Sequence, residues 1–213
     1  MMSKRLLILG AGGHGKVVGD CARAGGDWSE LLFFDDRWPA LDTCGQWRAV
    51  GTGSSLVDAA DSGCSAFVAI GHAITRLTWL RRLTAAGVDI ATVVHPSAVI
   101  SRDVVLGKGC LIVAGAIVNI GSRLGMGCIV NTGATIDHDC VLGDGVHICP
   151  GANLGGGVHV GEASWIGIGS AVRHGVRIGT GVTVGAGAAI ISDVTDGLTM
   201  IGVPARPMPK GSE

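Results

Sequence analysis

From Val94 to Ile190 every sixth residue is Leu, Ile or Val, and no residue is inserted or lost between them. The positions are Val94, Ile100, Leu106, Ile112, Val118, Leu124, Val130, Ile136, Leu142, Ile148, Leu154, Val160, Ile166, Val172, Ile178, Val184 and Ile190. Four residues after most of them stands a small side chain, as at Ala98, Cys110, Ala116, Ser122, Cys128, Ala134, Cys140, Ala152, Ser164, Ser170 and Ala188. The third residue after each is mostly Gly. A fixed period of this kind constrains a fold more than any local propensity does. A short extended run points one branched side chain inward. A corner that needs glycine backbone angles turns the chain, and a small residue fits inside it. Three such hexads close one three-sided coil, and coils stack in strand register at roughly 4.8 Å. The run therefore builds a prism roughly 27 Å tall, each coil burying its apolar stack against its neighbours.

Composition agrees with this reading. The 213 residues include 37 Gly, three Phe and no Tyr, with 47% hydrophobic and only 15% charged residues. Glycine at this level without a Gly-X-Y period excludes collagen, and the β-branched content excludes disorder. The net charge of −1 points to neither nucleic acid nor a membrane surface as partner. Of seven cysteines, Cys110, Cys128 and Cys140 take the small inward position, and Cys21, Cys44 and Cys64 lack C-x-x-C spacing. This is the usage of a reduced, cytoplasmic chain. The apolar run 6–9 is too short for a signal segment, and no stretch reaches membrane-spanning length.

Residues 1–94 read as alternating strand and helix, a small Rossmann-like unit. Strands are expected at 5–9, 31–34, 66–70 and 90–94, and helices at 16–22, 57–60 and 75–86. Gly10, Gly12 and Gly15, with Gly13 and His14 between them, fit G-x-G-x-x-G after a strand and before a helix. Such a loop gives close backbone approach and helix N-terminal amides for a pyrophosphate. Asp35, about 25 residues past Gly10 at the end of the second strand, suits a ribose hydroxyl. A dinucleotide needs two such halves and this unit supplies one, so a single nucleotide diphosphate fits better than a nicotinamide cofactor. A glycine turn with no ligand has the same local pattern. The prism is expected over 95–194 and a tail over 195–213, the repeat stopping after Ile190.

The hexad phase assigns the outward side chains. His138 and Asp139 stand at a corner where most hexads carry Gly, an arrangement that suits a general base with an orienting carboxylate and equally a solvated corner. Adding one coil to His138 gives Gly156, inside Gly155-Gly156-Gly157, where a bare amide could meet a developing oxyanion. Asn131 and His147 are expected outward on one face of adjacent coils, opposite that corner. In a threefold trimer a corner of one prism could meet a face of the next.

The hexad resembles the left-handed parallel β-helix of hexapeptide-repeat acyltransferases. Three features together resemble the sialic-acid O-acetyltransferase-like family, and within it the enzymes that acetylate UDP-4-amino sugars of the bacillosamine type and GDP-perosamine. They are the loop Ile8-Leu9-Gly10-Ala11-Gly12-Gly13-His14-Gly15-Lys16-Val17-Val18, the segment Val130-Asn131-Thr132-Gly133-Ala134-Thr135-Ile136-Asp137-His138-Asp139-Cys140, and the unbroken hexads. The resemblance implies acetyl-CoA as co-substrate, no metal, a homotrimer and a nucleotide-linked amino sugar as acceptor. It makes His138 the base and Asp139, where the family often has Glu, its support. It brings Asn131 and His147 from a neighbouring subunit and aims the Gly156 N–H at the thioester carbonyl. Gly10, Gly12, Gly13, His14, Gly15, Asp35, Arg37, Gly71 and Arg76 would hold the nucleotide sugar. Gly202 and Pro204, in Gly-Val-Pro-Ala-Arg, resemble the tail that lies near the coenzyme A site, although a proline stop ending a repeat fits as well. His72 departs from the family's usual Ile-Gly-Asn. Transfer to a sugar hydroxyl, such as that of a sialic acid, is the alternative reaction.

Overall fold

The computed structural model describes residues 4–61 and 63–209. The chain divides into two compact units, Met1–Pro96 and Ser97–Glu213.

Among the described residues the first unit is a five-stranded sheet with three helices. In chain order the elements are β1 (Lys4–Leu9), α1 (Gly13–Gly25), β2 (Trp28–Phe34), β3 (Thr43–Cys44), β4 (Trp47–Gly51), α2 (Gly53–Ala59), β5 (Cys64–Val68), α3 (Ala73–Ala85) and β6 (Val93–Val94). The sheet order is β3-β4-β2-β1-β5. β1 is parallel to both β2 and β5. The apolar run of β1 explains its central place, with Leu6, Leu7 and Ile8 almost wholly buried. Because the chain moves from β1 to β2 on one side and returns to β5 on the other, strand order reverses at β1. The loop after β1 therefore lies at a topological switch point, where open α/β sheets bind ligands.

Three expectations for this unit are corrected. The strand expected at 90–94 does not join the sheet: Ile90 makes one isolated bridge to Ala66. The hairpin of β3 and β4 supplies the outer strands instead. The helix expected from Lys16 already starts at Gly13, and the one expected at 57–60 runs from Gly53.

In the second unit, strands of mostly two residues stack in parallel ladders. Thr135–Ile136 pairs with Ile117–Val118 on one side and Asn153–Leu154 on the other. His147–Ile148 lies likewise between Ile129–Val130 and Trp165–Ile166. The inward residues from Ile112 to Ile190 are all buried, and each fully buried branched side chain contributes roughly 1.5–3 kcal/mol. The corner glycines from Gly109 to Gly187 hold φ of 62–76°, which explains their period. The small inward residues also bond between coils: Ser122 Oγ donates to Asp137 O at 2.8 Å, and Cys140 Sγ to Gly155 O at 3.3 Å.

The repeat does not stop at Ile190. Val194 bridges Ile178 and Met200 pairs with Val184, so the column gains most of another coil. Two residues are missing from that turn, since these partners are 16 apart rather than 18, and the six-residue phase breaks there. Arg206–Pro207 then folds back antiparallel on Met200 and Ile201.

Candidate active site

The loop after β1 contains two kinds of glycine. A Cβ on Gly10, where φ is 107°, would come within 2.6 Å of Ala69 O, and one on Gly15 would collide with Gly10 O. The fold itself requires both. Gly13 meets nothing within 4 Å, and at Gly12 the nearest atom is the Arg37 Nη2 at 3.9 Å. Those two glycines leave open space rather than fill it. They line a cleft of about 470 Å³ with Ala11, Lys16, Arg37, Leu41, Thr43 and Gly45. No side chain caps α1 at Gly12. An uncapped helix start beside Lys16 and Arg37 is a setting for phosphate oxygens. The sequence reading omitted Lys16, Leu41, Thr43 and Gly45. Lys16, one residue past the last motif glycine, was the available signal.

Asp35 does not stand ready for a ribose. Its Oδ2 accepts from the Ala11 N–H at 2.9 Å and Arg37 Nη2 at 2.9 Å. Its Oδ1 accepts from Arg37 N at 3.1 Å and Nε at 2.8 Å. Four donors fill the acceptor sites of the carboxylate. The Arg37 hydrogen bonds, joined by that from Ala11, hold its carboxyl below the usual range against the opposing effect of burial. Asp35 fastens the glycine loop and fixes Arg37 at the cleft.

Arg76 is likewise spent inside the unit. It is 0% exposed, and its Nη1 donates to Ile70 O and Gly71 O, both at 2.7 Å. It braces the turn between β5 and α3 rather than opening toward a ligand. His14, pushed down to about 4 by burial and then by the Arg76 charge, is neutral at physiological pH. A Cβ on Gly71 would meet nothing within 4 Å. His72 has a structural explanation: it N-caps α3, its Nδ1 accepting from Thr75 N at 3.4 Å. Asn, which the resemblance implies there, is a favoured cap.

On the prism, His138 is exposed at its corner. His138 Nδ1 bonds Asp139 Oδ2 at 2.9 Å. The carboxylate can only accept, so the proton sits on Nδ1 and Nε2 is the basic nitrogen. A Cβ built on Gly156 would collide with that Nε2, so the bare backbone of Gly156 makes room for the ring. Bonding to Asp139, then the charge of Asp137, raises the His138 pKa above its ordinary value. Asp139 occupies the corner's left-handed position with φ 57°, a conformation elsewhere given mainly to glycine. Asp137 Oδ1 accepts from His138 N at 2.8 Å and from Asn119 Nδ2 at 3.2 Å. Among the described residues no acceptor takes the Gly156 N–H.

Asn131 and His147 are together, with Asn131 Nδ2 and His147 Nε2 3.1 Å apart. Asn131 Oδ1 accepts from Thr132 N at 2.8 Å, so its amide donates to the ring and the His147 proton sits on Nδ1. His147 is not the open side chain the phase implied. It is 5% exposed and packs against Trp165, one coil on, with ring centroids 4.3 Å apart. Only Asn131 presents polar atoms at the surface of this pair. Gly202 and Pro204 are exposed, and Ala189 fastens their segment: Ala189 N donates to Gly202 O at 3.1 Å, and Ala205 N to Ala189 O at 2.8 Å. Among the described residues no three His, Cys, Asp or Glu side chains gather as metal ligands, and no helix is long and apolar enough to cross a membrane.

A Rossmann-like half unit followed by a hexad column with a polar corner is the build in which the chain resembles the hexapeptide-repeat acyltransferases. Comparison with known proteins narrows this. Residues 5–83 match the PglD N-terminal domain and 157–192 the bacterial transferase hexapeptide (six repeats). The acetyltransferase domain of PglB from Neisseria gonorrhoeae FA1090, solved with acetyl coenzyme A, is 40% identical with a TM-score of 0.93, over 97% of this chain and 100% of that one. PerB from Caulobacter crescentus, solved with CoA and GDP-perosamine, is 38% identical with a TM-score of 0.90, over 98% and 99%. The UDP-N-acetylbacillosamine N-acetyltransferase of Bacillus subtilis (strain 168) is 36% identical over 116 residues, 52% of each chain. The chain thus spans about half the length of that curated relative. The chain belongs to the bacillosamine/perosamine type of hexapeptide-repeat acetyltransferases, and its prism is a left-handed β-helix.

Proposed function

We propose that this chain transfers an acetyl group from acetyl-CoA to the amino group of a nucleotide-linked 4-amino-deoxy sugar of the UDP or GDP type. The observation that carries the reading is the His138 corner. There Asp139 sets the tautomer, Nε2 can take a proton, and Gly156, buried under the ring, has an N–H that no acceptor takes among the described residues. The amine nitrogen attacks the thioester carbonyl and forms the C–N bond, while the carbonyl π electrons move onto oxygen. His138 Nε2 accepts the proton lost by nitrogen. The Gly156 N–H donates to the oxyanion. Collapse restores C=O, breaks the C–S bond and expels the coenzyme A thiolate, which the imidazolium reprotonates. Cys140, which follows the corner, is wholly buried, its thiol donates to Gly155 O and burial raises its pKa, so attack is direct.

Gly12, Gly13, Lys16 and Arg37 hold the diphosphate in the open cleft. The prisms associate as a threefold homotrimer, in which Asn131 of one subunit, backed by His147, faces the His138 corner of another. Gly202 and Pro204 lie along the coenzyme A path. The seven cysteines are buried and among the described residues none forms a disulfide, which suits a cytoplasmic enzyme.

The test is release of the coenzyme A thiol with a panel of UDP-, GDP- and dTDP-4-amino sugars, the product characterised by mass and hydroxylamine stability. A hydroxylamine-stable amide on one nucleotide sugar supports the reading. An ester product, or acetylation of a free sugar alone, overturns it.

A further inference from the structure

The prism shows how its own corner amides are silenced. At the middle residue of a corner the N–H can be taken by a carboxylate one coil on: Met126 N donates to Asp144 Oδ1 at 2.8 Å, and Thr180 N to Asp196 Oδ1 at 2.8 Å. It can also be taken by the side chain just before it: Thr132 N donates to Asn131 Oδ1 and His138 N to Asp137 Oδ1, each at 2.8 Å. Gly156 occupies the same middle position. The residue before it is Gly155, which has no side chain. The residue one coil on, stacked as Asp144 is on Met126, is His174. A Cβ on Gly155 would come within 2.7 Å of His174 N, so packing already forbids a capping side chain at 155. Position 174 is left as the place from which the Gly156 N–H could be capped by its own chain.

We propose that residue 174 determines whether the Gly156 amide is available to substrate, and that His174 leaves it available because neither ring nitrogen takes that N–H. This rests on reading the Gly156 N–H as the donor to the thioester oxygen. A carboxylate at 174 would repeat the geometry of Asp144 over Met126, and the oxyanion would lose its donor to an internal hydrogen bond. Gly155 and His174 act as a pair: one cannot carry a cap, and the other does not.

The test compares His174→Asp, His174→Asn and His174→Ala in the full chain. Asp carries a charged acceptor, Asn the same acceptor without charge, and Ala none. At the plateau of the pH profile, Asp and Asn are each expected to lower kcat by about 10²-fold, the usual effect of losing one oxyanion donor, with KM for acetyl-CoA changed only a few-fold. The Ala variant is expected to stay at least about tenfold above both. A crystal structure of the Asp variant should show its side chain on Gly156 N. Equal loss in all three variants overturns the proposal, as does a structure without the cap, and neither touches the role of Gly156. A formed cap with kcat unchanged removes Gly156 from the reaction instead.

Discussion

Two corners of one prism, His138 with its flanking aspartates and Asp144 between Gly143 and Gly145, use the same backbone bend for opposite ends. At Asp144 a glycine takes the left-handed position, at φ 69°, and the carboxylate is consumed by the Met126 N–H of the coil before. Every special residue there serves the stack. At His138 the left-handed position goes to Asp139, which is conformationally costly for a residue with a Cβ, and its carboxylate faces an imidazole. The coil after it lowers its side-chain bulk to Gly155 and Gly156. The difference teaches what the proposed reaction asks of a solenoid corner: a residue with a Cβ in the left-handed position, and an uncapped amide, that of Gly156, on the next coil.

The largest effect expected from breaking this contrast is at the ring. His138→Ala should lower kcat by roughly 10²–10⁴-fold, the range for loss of a positioned base. Its sedimentation and unfolding midpoint should match the parent, and retained activity within a few-fold would remove the distinction between the corners. Next is Asp139→Gly, which converts the reactive corner into the structural kind. Stability should hold or rise by up to about 1 kcal/mol as left-handed strain is relieved. Activity should fall by about tenfold or more as the ring loses its partner. Stability and rate moving the same way would contradict the comparison. The smallest effect belongs to the other corner: Asp144→Ala should cost about 1 kcal/mol in denaturant unfolding through the lost Met126 bond and leave kcat unchanged.

The two units differed in how much of them the sequence revealed, for physical reasons. In the prism each hexad repeats one local solution, so phase alone located the buried ladder, the corners and the His138–Gly156 stack. Phase failed where the period itself changed, at the shortened turn after Ile190. Outward phase was also mistaken for exposure: His147 points away from the interior ladder yet lies against Trp165, which the 18-residue coil spacing places beside it. The α/β unit has no such redundancy. β3 has only two residues and follows a charge-rich stretch broken by Pro39, so no alternation announced it. The glycine motif was visible, but not that Gly10 and Gly15 serve packing while Gly12 and Gly13 leave the opening. Asp35 and Arg76 were read as ligand groups because their charge is visible in sequence, whereas their internal partners, Ala11, Arg37 and the Ile70 and Gly71 carbonyls, are set by the turns around them.

The central claim is that the His138 imidazole, held by Asp139, is the group whose loss of a proton permits transfer. Its folded pKa is raised, so the reactive neutral form is depleted below that raised value and kcat/KM must fall on the acid side. The decisive measurement is the pH dependence of kcat/KM for the parent and for Asp139→Asn. Removing the carboxylate should carry the acidic limb to lower pH while any limb belonging to the substrate amine stays in place. Superimposable profiles would contradict the account.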